Sequence, residues 1–495
     1  MFGRYVFDES SAQYANRVIL VDRDHLDEKT HYTDTFRANG FEVIRYTDDL
    51  RFRIQYEEKW KSGKGKMALI AEAGAYLPYD IRTAARETAL SLETLFPRLN
   101  ADILRGWTET VSRRIRALDW DLLACAYRAN YAAMQKEADT ENFLRNTVYS
   151  RENILQTIRP LYQTLLDRVS SETGYRKWFS IAEEKAEIDV LCARYQIDFD
   201  TAELNRLFCD YALLEYGKLS AEMDRDTPVL ISRTMEYMRD HSERFVVIVM
   251  DGMSEFDWNI LSESFWDISY EKSSAFAMIP TVTSVSRQCL LSNRLPCQLR
   301  NPWKQTYEEQ EFIDAGIRMG YQKEQMGYKR GYDARFEDSV CCGAVIVNDV
   351  DDLVHGQTQG RAGMANALSV LAKAGKLAPL VRRFLSQGFD VYITADHGNT
   401  LRRGIGKLTG TGVETESRSH CMLVLHNFAD KNRLCADSRF LEFPKYYLPK
   451  EYHYLICNVG ISLDTNGQEV MTHGGISVDE CIVPFIKVLA VNNHA

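Results

Sequence analysis

The spacing of apolar and polar positions divides the chain into three textures. Near the start, three short β-rich runs, "RVILVD" (17–22), "FEVIRY" (41–46) and "KMALIAE" (66–72), are separated by polar segments that suit helices over at least the first interval. Strands alternating with helices predict a small α/β unit with a parallel sheet. From about residue 82 to 240 the texture becomes helical, rich in Leu, Ala, Glu, Lys and Arg and sparing in proline and glycine, with no fixed repeat. At 244 it changes again. "RFVVIVMDG" reads as a buried strand ending in an acid and a glycine, and apolar runs recur at 275–280, 343–348, 390–396, 420–427, 453–459 and 481–490. Helical stretches lie between several of them, the clearest at 361–387. Near-continuous apolar strands alternating with helices predict a mostly parallel sheet with helices on both faces. The expected organisation is a small Rossmann-like α/β domain at 1–80, a helical region at 81–240 and a larger α/β domain at 241–495.

Composition narrows the class. The chain has 495 residues, more than one core usually organises, and is 45% hydrophobic and 26% charged, as in a globular enzyme. No run of 18 apolar residues occurs and the first residues are polar, so the expectation is a cytoplasmic protein without a membrane partner. The 11 cysteines are scattered, with no CxxC pair, and read as reduced small hydrophobes. A net charge of −10 speaks against a broad electrostatic grip on nucleic acid, while leaving room for a basic patch at one cleft.

In open α/β sheets ligands gather beyond the carboxyl ends of the strands. Five places carry suitable side chains: Asp251 after "VVIVM", the hydroxyls of "IPTVTSVSR" (279–287), the acids and histidine of "VNDVDDLVHG" (347–356), Asp396 with His397, and His473 in "THGG". Each has an ordinary reading as well. Asp251 can end a strand, Thr283 can cap a helix, and three acids in one turn can be a solvated surface. Together they offer three aspartates, three histidines and a hydroxyl, an oxygen and nitrogen set that suits zinc first and manganese next.

The order of these pieces resembles the alkaline phosphatase superfamily, and within it the PglZ-domain family of BREX-type phage defence. That family runs from a strand-end Asp through a Thr or Ser nucleophile opening a helix, D-x-x-x-H and D-H-G to a late His before glycine. This chain has Asp251, Thr283, Asp351 with His355, Asp396 with His397, and His473 in that order. The resemblance implies one metal on Asp351, His355 and His473, and a second on Asp251, Asp396, His397 and the Thr283 oxygen. Two divalent ions about 3.5 to 4 Å apart suit in-line phosphoryl displacement, and a metal-activated threonine suits a phosphothreonine intermediate.

Some assignments stay open in the sequence. "TSVSR" (283–287) aligns with the C-x-P-S-R pattern of sulfatases but starts with Thr and has Val third, which points to a phosphatase-type Thr283 with Ser284 as the alternative. Asp352 is the alternative to Asp351. Arg287 reads either as a contact for an anionic substrate or as a solvated helix residue. The acids Asp22, Asp24, Asp48 and Asp49 read as solvated strand ends. The polar, glycine-rich stretch 401–419, with Arg402, Arg403, Lys407 and Arg418, is expected to be a cationic lid over substrate.

The expected function is a metal-dependent phosphohydrolase, cleaving phosphodiesters of nucleotides or oligonucleotides alongside other defence-system proteins. The diester preference comes from the PglZ resemblance. The alternatives are a phosphomonoesterase or phosphomutase on a small metabolite, and a scaffold of a defence complex with a structural metal site.

Overall fold

The computed structural model describes residues 1–109, 115–135, 139–170, 173–408, 419–426 and 434–489. Its contacts group the chain into two compact units, Met1–Leu161 and Tyr162–Ala495. In the first, β1 (Arg17–Asp22), β2 (Phe41–Tyr46), β3 (Lys66–Glu72) and β4 (Arg86–Leu90) form a parallel sheet in the order β2-β3-β1-β4. Its core packs Ile19, Ile44 and Leu69 against Phe52 and Trp60. β4 falls where the pattern reads as helix. It is an edge strand, "RETAL", whose first two residues are exposed, so it lacks the apolar run that marks a buried strand. Asp22 is not a solvated strand end. It is buried, and its carboxylate accepts the backbone N–H groups of Leu26 and Asp27 at 2.9 Å each, closing the start of the next helix.

The second unit contains β5 (Phe245–Met250), β6 (Tyr270–Phe276), β7 (Met326–Arg330), β8 (Cys342–Val347), β9 (Asp390–Thr394), β10 (Thr400–Gly404), β11 (Met422–Leu425), β12 (Phe440–Glu442), β13 (His453–Cys457), β14 (Ile461–Ser462), β15 (Glu469–Thr472) and β16 (Ile482–Val488). Six of them form one sheet in the order β6-β16-β9-β5-β8-β7, in which β16 alone opposes the others. The mostly parallel α/β sheet predicted from the pattern is therefore present. β5 and β8 are buried at every position, which is why they show no alternation. Each Val or Ile side chain withdrawn from water there contributes about 1.5 to 3 kcal/mol.

Two apolar runs behave differently from expectation. Those at 420–427 and 453–459 supply β11 and β13, which pair antiparallel and form a separate sheet, β11-β13-β12. Burial on both faces produces the same apolar run in either setting, so the pattern alone does not assign the sheet. The expected lid also begins as a strand. β10 pairs antiparallel with β15 and parallel with β14. Within it Arg402 is buried and bonded to Glu480, so it does not reach toward solvent; Arg403 and Lys407 are exposed, and Arg418 lies outside the described residues.

This topology positions the polar strand ends. β9, β5 and β8 are neighbours running the same way, so the loops carrying Asp396, Asp251 and Asp351 leave the sheet side by side. The register Thr400↔Thr472 between β10 and β15 then sets His473 beside His397. Cross-bonds lock the loops: Gly252 N–H donates to Asp396 Oδ1 at 3.2 Å, and Asn399 Nδ2 donates to Gly252 O at 2.9 Å and Asp257 Oδ2 at 2.6 Å. Gly252 has φ +73°, a left-handed turn that glycine adopts without strain.

Gly398 is the tightest point of this packing, because a Cβ there would lie 2.0 Å from the Asp479 carbonyl oxygen. Gly398→Ala is expected to destabilise the unit by about 1–3 kcal/mol, the usual cost of overpacking, seen as a lower midpoint in thermal unfolding. An unchanged midpoint would show that this loop does not hold the strand ends rigidly.

Candidate metal centre

The six carboxylate and imidazole groups singled out in the sequence fall into two sets. Asp351, His355 and His473 form one, and Asp251, Asp396 and His397 the other; within each, one ligand atom per residue lies within 4.8 Å of the rest. In the first set Asp351 Oδ2 is 3.4 Å from His355 Nε2, and Asp351 Oδ1 is 3.5 Å from His473 Nε2. The helix Asp349–Gly356 turns Asp351 and His355 to one face, four residues apart, while Asp352 is exposed and belongs to neither set. In the second set His397 Nε2 is 3.8 Å from both Asp251 Oδ1 and Asp396 Oδ2.

The imidazoles are held with one nitrogen spoken for. His397 Nδ1–H donates to the Gly398 carbonyl at 3.0 Å and His473 Nδ1–H to the Thr281 carbonyl at 2.9 Å. Such backbone contacts fix the ring and turn Nε2 toward the cluster, the kind of support that orients a metal-binding histidine. Burial, together with the neighbouring His397, drives the His473 imidazole down to about 3, so it is neutral and its Nε2 carries a lone pair. Burial and the adjacent Asp251 push the Asp396 carboxyl up to about 7. Burial is the largest influence on Asp351 and acts to raise it, but the hydrogen bond from His355 together with the neighbouring His473, His397 and His355 imidazoles outweighs it and holds that carboxyl well below the usual range.

These residues fit divalent cations. Asp351 Oδ1, Asp396 Oδ2 and His473 Nε2 are buried polar atoms without a hydrogen-bond partner. Unsatisfied buried acceptors are costly and rare in folded proteins, and three of them at the ends of adjacent elements mark the positions a cation would satisfy. Oxygen and nitrogen donors without thiolate suit zinc or manganese.

Thr283 stands at the first position of the helix Thr283–Ser292, after an extended Val282 that makes no side-chain cap. Its Oγ1 lies 3.1 Å from His397 Nε2 and 3.5 Å from Asp251 Oδ1, so the hydroxyl faces the second set. Two nearby hydroxyls are committed elsewhere. Thr281 Oγ1 donates to Gly475 O at 3.1 Å, and Ser286 Oγ donates to Asp396 O at 2.6 Å. The helix's first hydrogen bonds run from Val285 and Ser286 to Val282 O, so the N–H groups of Thr283 and Ser284 precede the ladder. They give this end of the helix its capacity to hold anionic oxygens.

Arg287 is neither a solvated residue nor an open substrate contact. It is only 1% exposed, and its Nη1 binds Asp251 Oδ2 at 2.6 Å while its Nε binds Glu308 Oε2 at 2.7 Å. Arg330 donates to the other Glu308 oxygen at 3.1 Å. The guanidinium fixes Asp251 while Glu308 offsets its charge, leaving the paired Asp251 and Asp396 attractive to a cation. Arg287 follows Thr283 by four residues, a spacing that shares a helix face and signals the association. His420, by contrast, is unmarked in the sequence. Its ring centroid lies 6.1 Å from that of His355 and 6.3 Å from that of His473.

A mostly parallel α/β sheet with acids, imidazoles and a helix-opening hydroxyl at adjoining strand ends defines an alkaline phosphatase-like phosphoester hydrolase. The chain belongs to the PglZ family: the profile described as "BREX system PglZ alkaline phosphatase-like domain" matches residues 231–488, slightly more than half of its length. No curated protein sequence matches it. Solved structures to which it is similar include human ectonucleotide pyrophosphatase / phosphodiesterase 5, at 14% identity and TM-score 0.35 over 49% of this chain and 87% of that one. The murine counterpart gives 13% identity and TM-score 0.35 over the same shares. A phosphonoacetate hydrolase from Sinorhizobium meliloti 1021 with phosphonoacetate gives 10% identity and TM-score 0.29 over 49% of this chain and 89% of that one. Among the described residues no helix is long and apolar enough to cross a membrane.

Zinc added to chelator-treated protein is expected to raise the unfolding midpoint, since a ligand that binds only the folded state adds about 2.7 kcal/mol at a hundred times its Kd. In Asp396→Asn the increment should shrink. A midpoint indifferent to zinc and manganese in the parent chain would count against both cation sites.

Proposed function

We propose that this protein is a metal-dependent phosphodiesterase that cleaves nucleotide or oligonucleotide esters with Thr283 as nucleophile, in bacterial antiphage defence. The observation that carries the reading is the Thr283 hydroxyl, unused as a cap, at a helix N-terminus and within 3.5 Å of both His397 and Asp251. One ion, zinc first and manganese second, is assigned to Asp351, His355 and His473, and another to Asp251, Asp396 and His397 with the Thr283 oxygen. Bound there, the ions supply Lewis acidity, lowering the pKa of the threonine hydroxyl and offsetting charge on the phosphoryl group.

The chain's own groups account for the remaining chemistry. Thr283 Oγ1 releases its proton to solvent and attacks phosphorus; its bond to phosphorus forms as the ester P–O bond breaks, and the departing alkoxide takes a proton from solvent water. The backbone N–H groups of Thr283 and Ser284, at the positive end of the helix, receive the non-bridging oxygens. Water then cleaves the phosphothreonine and restores the hydroxyl. Arg287 acts behind the site, holding Asp251 in place through a buried ion pair. The diester preference and the defence setting rest on the likeness to PglZ proteins, whose family description names the BREX system. Other proteins of that system are the expected partners.

Steady-state assays on bis(nitrophenyl) phosphate and nitrophenyl phosphate test the reading. The diester is expected to give the higher kcat/KM, and Thr283→Ala to lower kcat by roughly a thousandfold or more with metal content unchanged, as loss of a nucleophile does. Preference for the monoester would favour a phosphatase or phosphomutase. Full activity in Thr283→Ala would remove threonine from the mechanism, and no activity on either ester in metal-loaded protein would favour a scaffold.

A further inference from the structure

Beside the two metal-ligand sets stands a fourth histidine that neither includes. His420 is about one-third exposed, and its Nδ1 pairs with Asp464 Oδ1 at 2.7 Å. Its backbone is fixed on both sides: Leu463 N–H donates to His420 O at 2.7 Å, and the preceding Ser419 donates through Oγ to Gly474 O at 2.9 Å. Gly474 directly follows His473, so the contact ties His420 to the edge of the first set. The carboxylate fixes one ring nitrogen, much as backbone carbonyls fix those of His397 and His473, and leaves Nε2 for a third party.

Two uses are open to a nitrogen so placed. A fourth protein ligand on Asp351, His355 and His473 would close a tetrahedral ion, whereas a catalytic site keeps one position for water or substrate. The ring separations of 6.1 Å and 6.3 Å from His355 and His473 also exceed the 5.5 Å between those two. Solvent access to the ring suits a group that meets substrate. We propose that His420, aimed by Asp464, is a substrate-contact residue: its Nε2 binds a phosphoryl oxygen of the ester on the Asp351, His355 and His473 side. This rests on the phosphohydrolase reading above. In the cationic form the ring donates through both nitrogens, Nδ1–H to Asp464 and Nε2–H to the phosphoryl oxygen. Asp464 is then a positioning residue, acting through His420.

The test combines calorimetric titration of the zinc-loaded full chain with inorganic phosphate, diester kinetics, and zinc content. His420→Ala and the volume-conserving His420→Gln are expected to keep their zinc and unfolding midpoint. Both should bind phosphate about tenfold or more weakly and show a raised KM for diester with a smaller change in kcat, as loss of a charge-assisted hydrogen bond implies. Asp464→Asn should move phosphate affinity in the same direction by less. Loss of zinc in both His420 variants would make the residue a ligand and overturn the proposal, as would phosphate affinity equal to that of the parent chain. If the parent chain neither binds phosphate nor cleaves esters, the phosphohydrolase reading fails and the proposal with it. If the parent does both while the His420 variants match it, only the role of His420 falls.

Discussion

Two aspartates, Asp251 and Asp396, crowd one end of a buried sheet beside a third, Asp351, and the repulsion between the first two is the constraint on which the rest of the site depends. β9, β5 and β8 are adjacent and parallel, so Asp396, Asp251 and Asp351 leave the sheet within one small region. Carboxylates withdrawn from water repel strongly unless cationic charge is supplied. The chain meets part of the demand itself. Arg287 binds Asp251, but Glu308 draws on the same guanidinium, and Asp396 retains an oxygen with no hydrogen bond. Burial and Asp251 push the Asp396 carboxyl up to about 7, which expresses the remaining demand as a cost of ionisation. A divalent cation relieves that cost in a way further side chains do not.

The surrounding architecture keeps this arrangement from relaxing. Bonds from Gly252 to Asp396, and from Asn399 to the Gly252 carbonyl and Asp257, tie the β5 and β9 loops together. Antiparallel pairing of β10 with β15 brings His473 back to the His397 ring, 4.2 Å away, although the two are 76 positions apart in sequence. Rigid support of this kind lets a site hold charge that would otherwise be diluted by movement or water.

Much of this was legible in the chain because chemistry and topology coincide at strand ends. "FVVIVM" and "CGAVIV" announce buried parallel strands, and the acids that follow them have few other reasons to recur in that order. The D-x-x-x-H spacing selects one helix face, so Asp351 is distinguished from the exposed Asp352. What was misread depends on neighbours that no local pattern names. Arg402 looks like a lid residue until β10 is seen to turn it inward onto Glu480, 78 residues further on. Arg287 reads as a substrate contact or a solvated residue until Glu308 and Asp251 are seen on either side of it. "RETAL" lacks the apolar run of a strand because it lies at a sheet edge. His420 depends on Asp464, 44 residues away, and nothing in "SHCMLVLHN" distinguishes a site histidine from a strand-end one.

The central claim is that the clustered carboxylates and imidazoles hold two cations. Anomalous diffraction from crystals of the zinc-loaded protein, with data above and below the zinc absorption edge, tests it most directly. Two edge-dependent peaks are predicted, one bounded by Asp351, His355 and His473 and the other by Asp251, Asp396 and His397. Absence of zinc from both sets, or zinc bound only at other residues, would contradict the account.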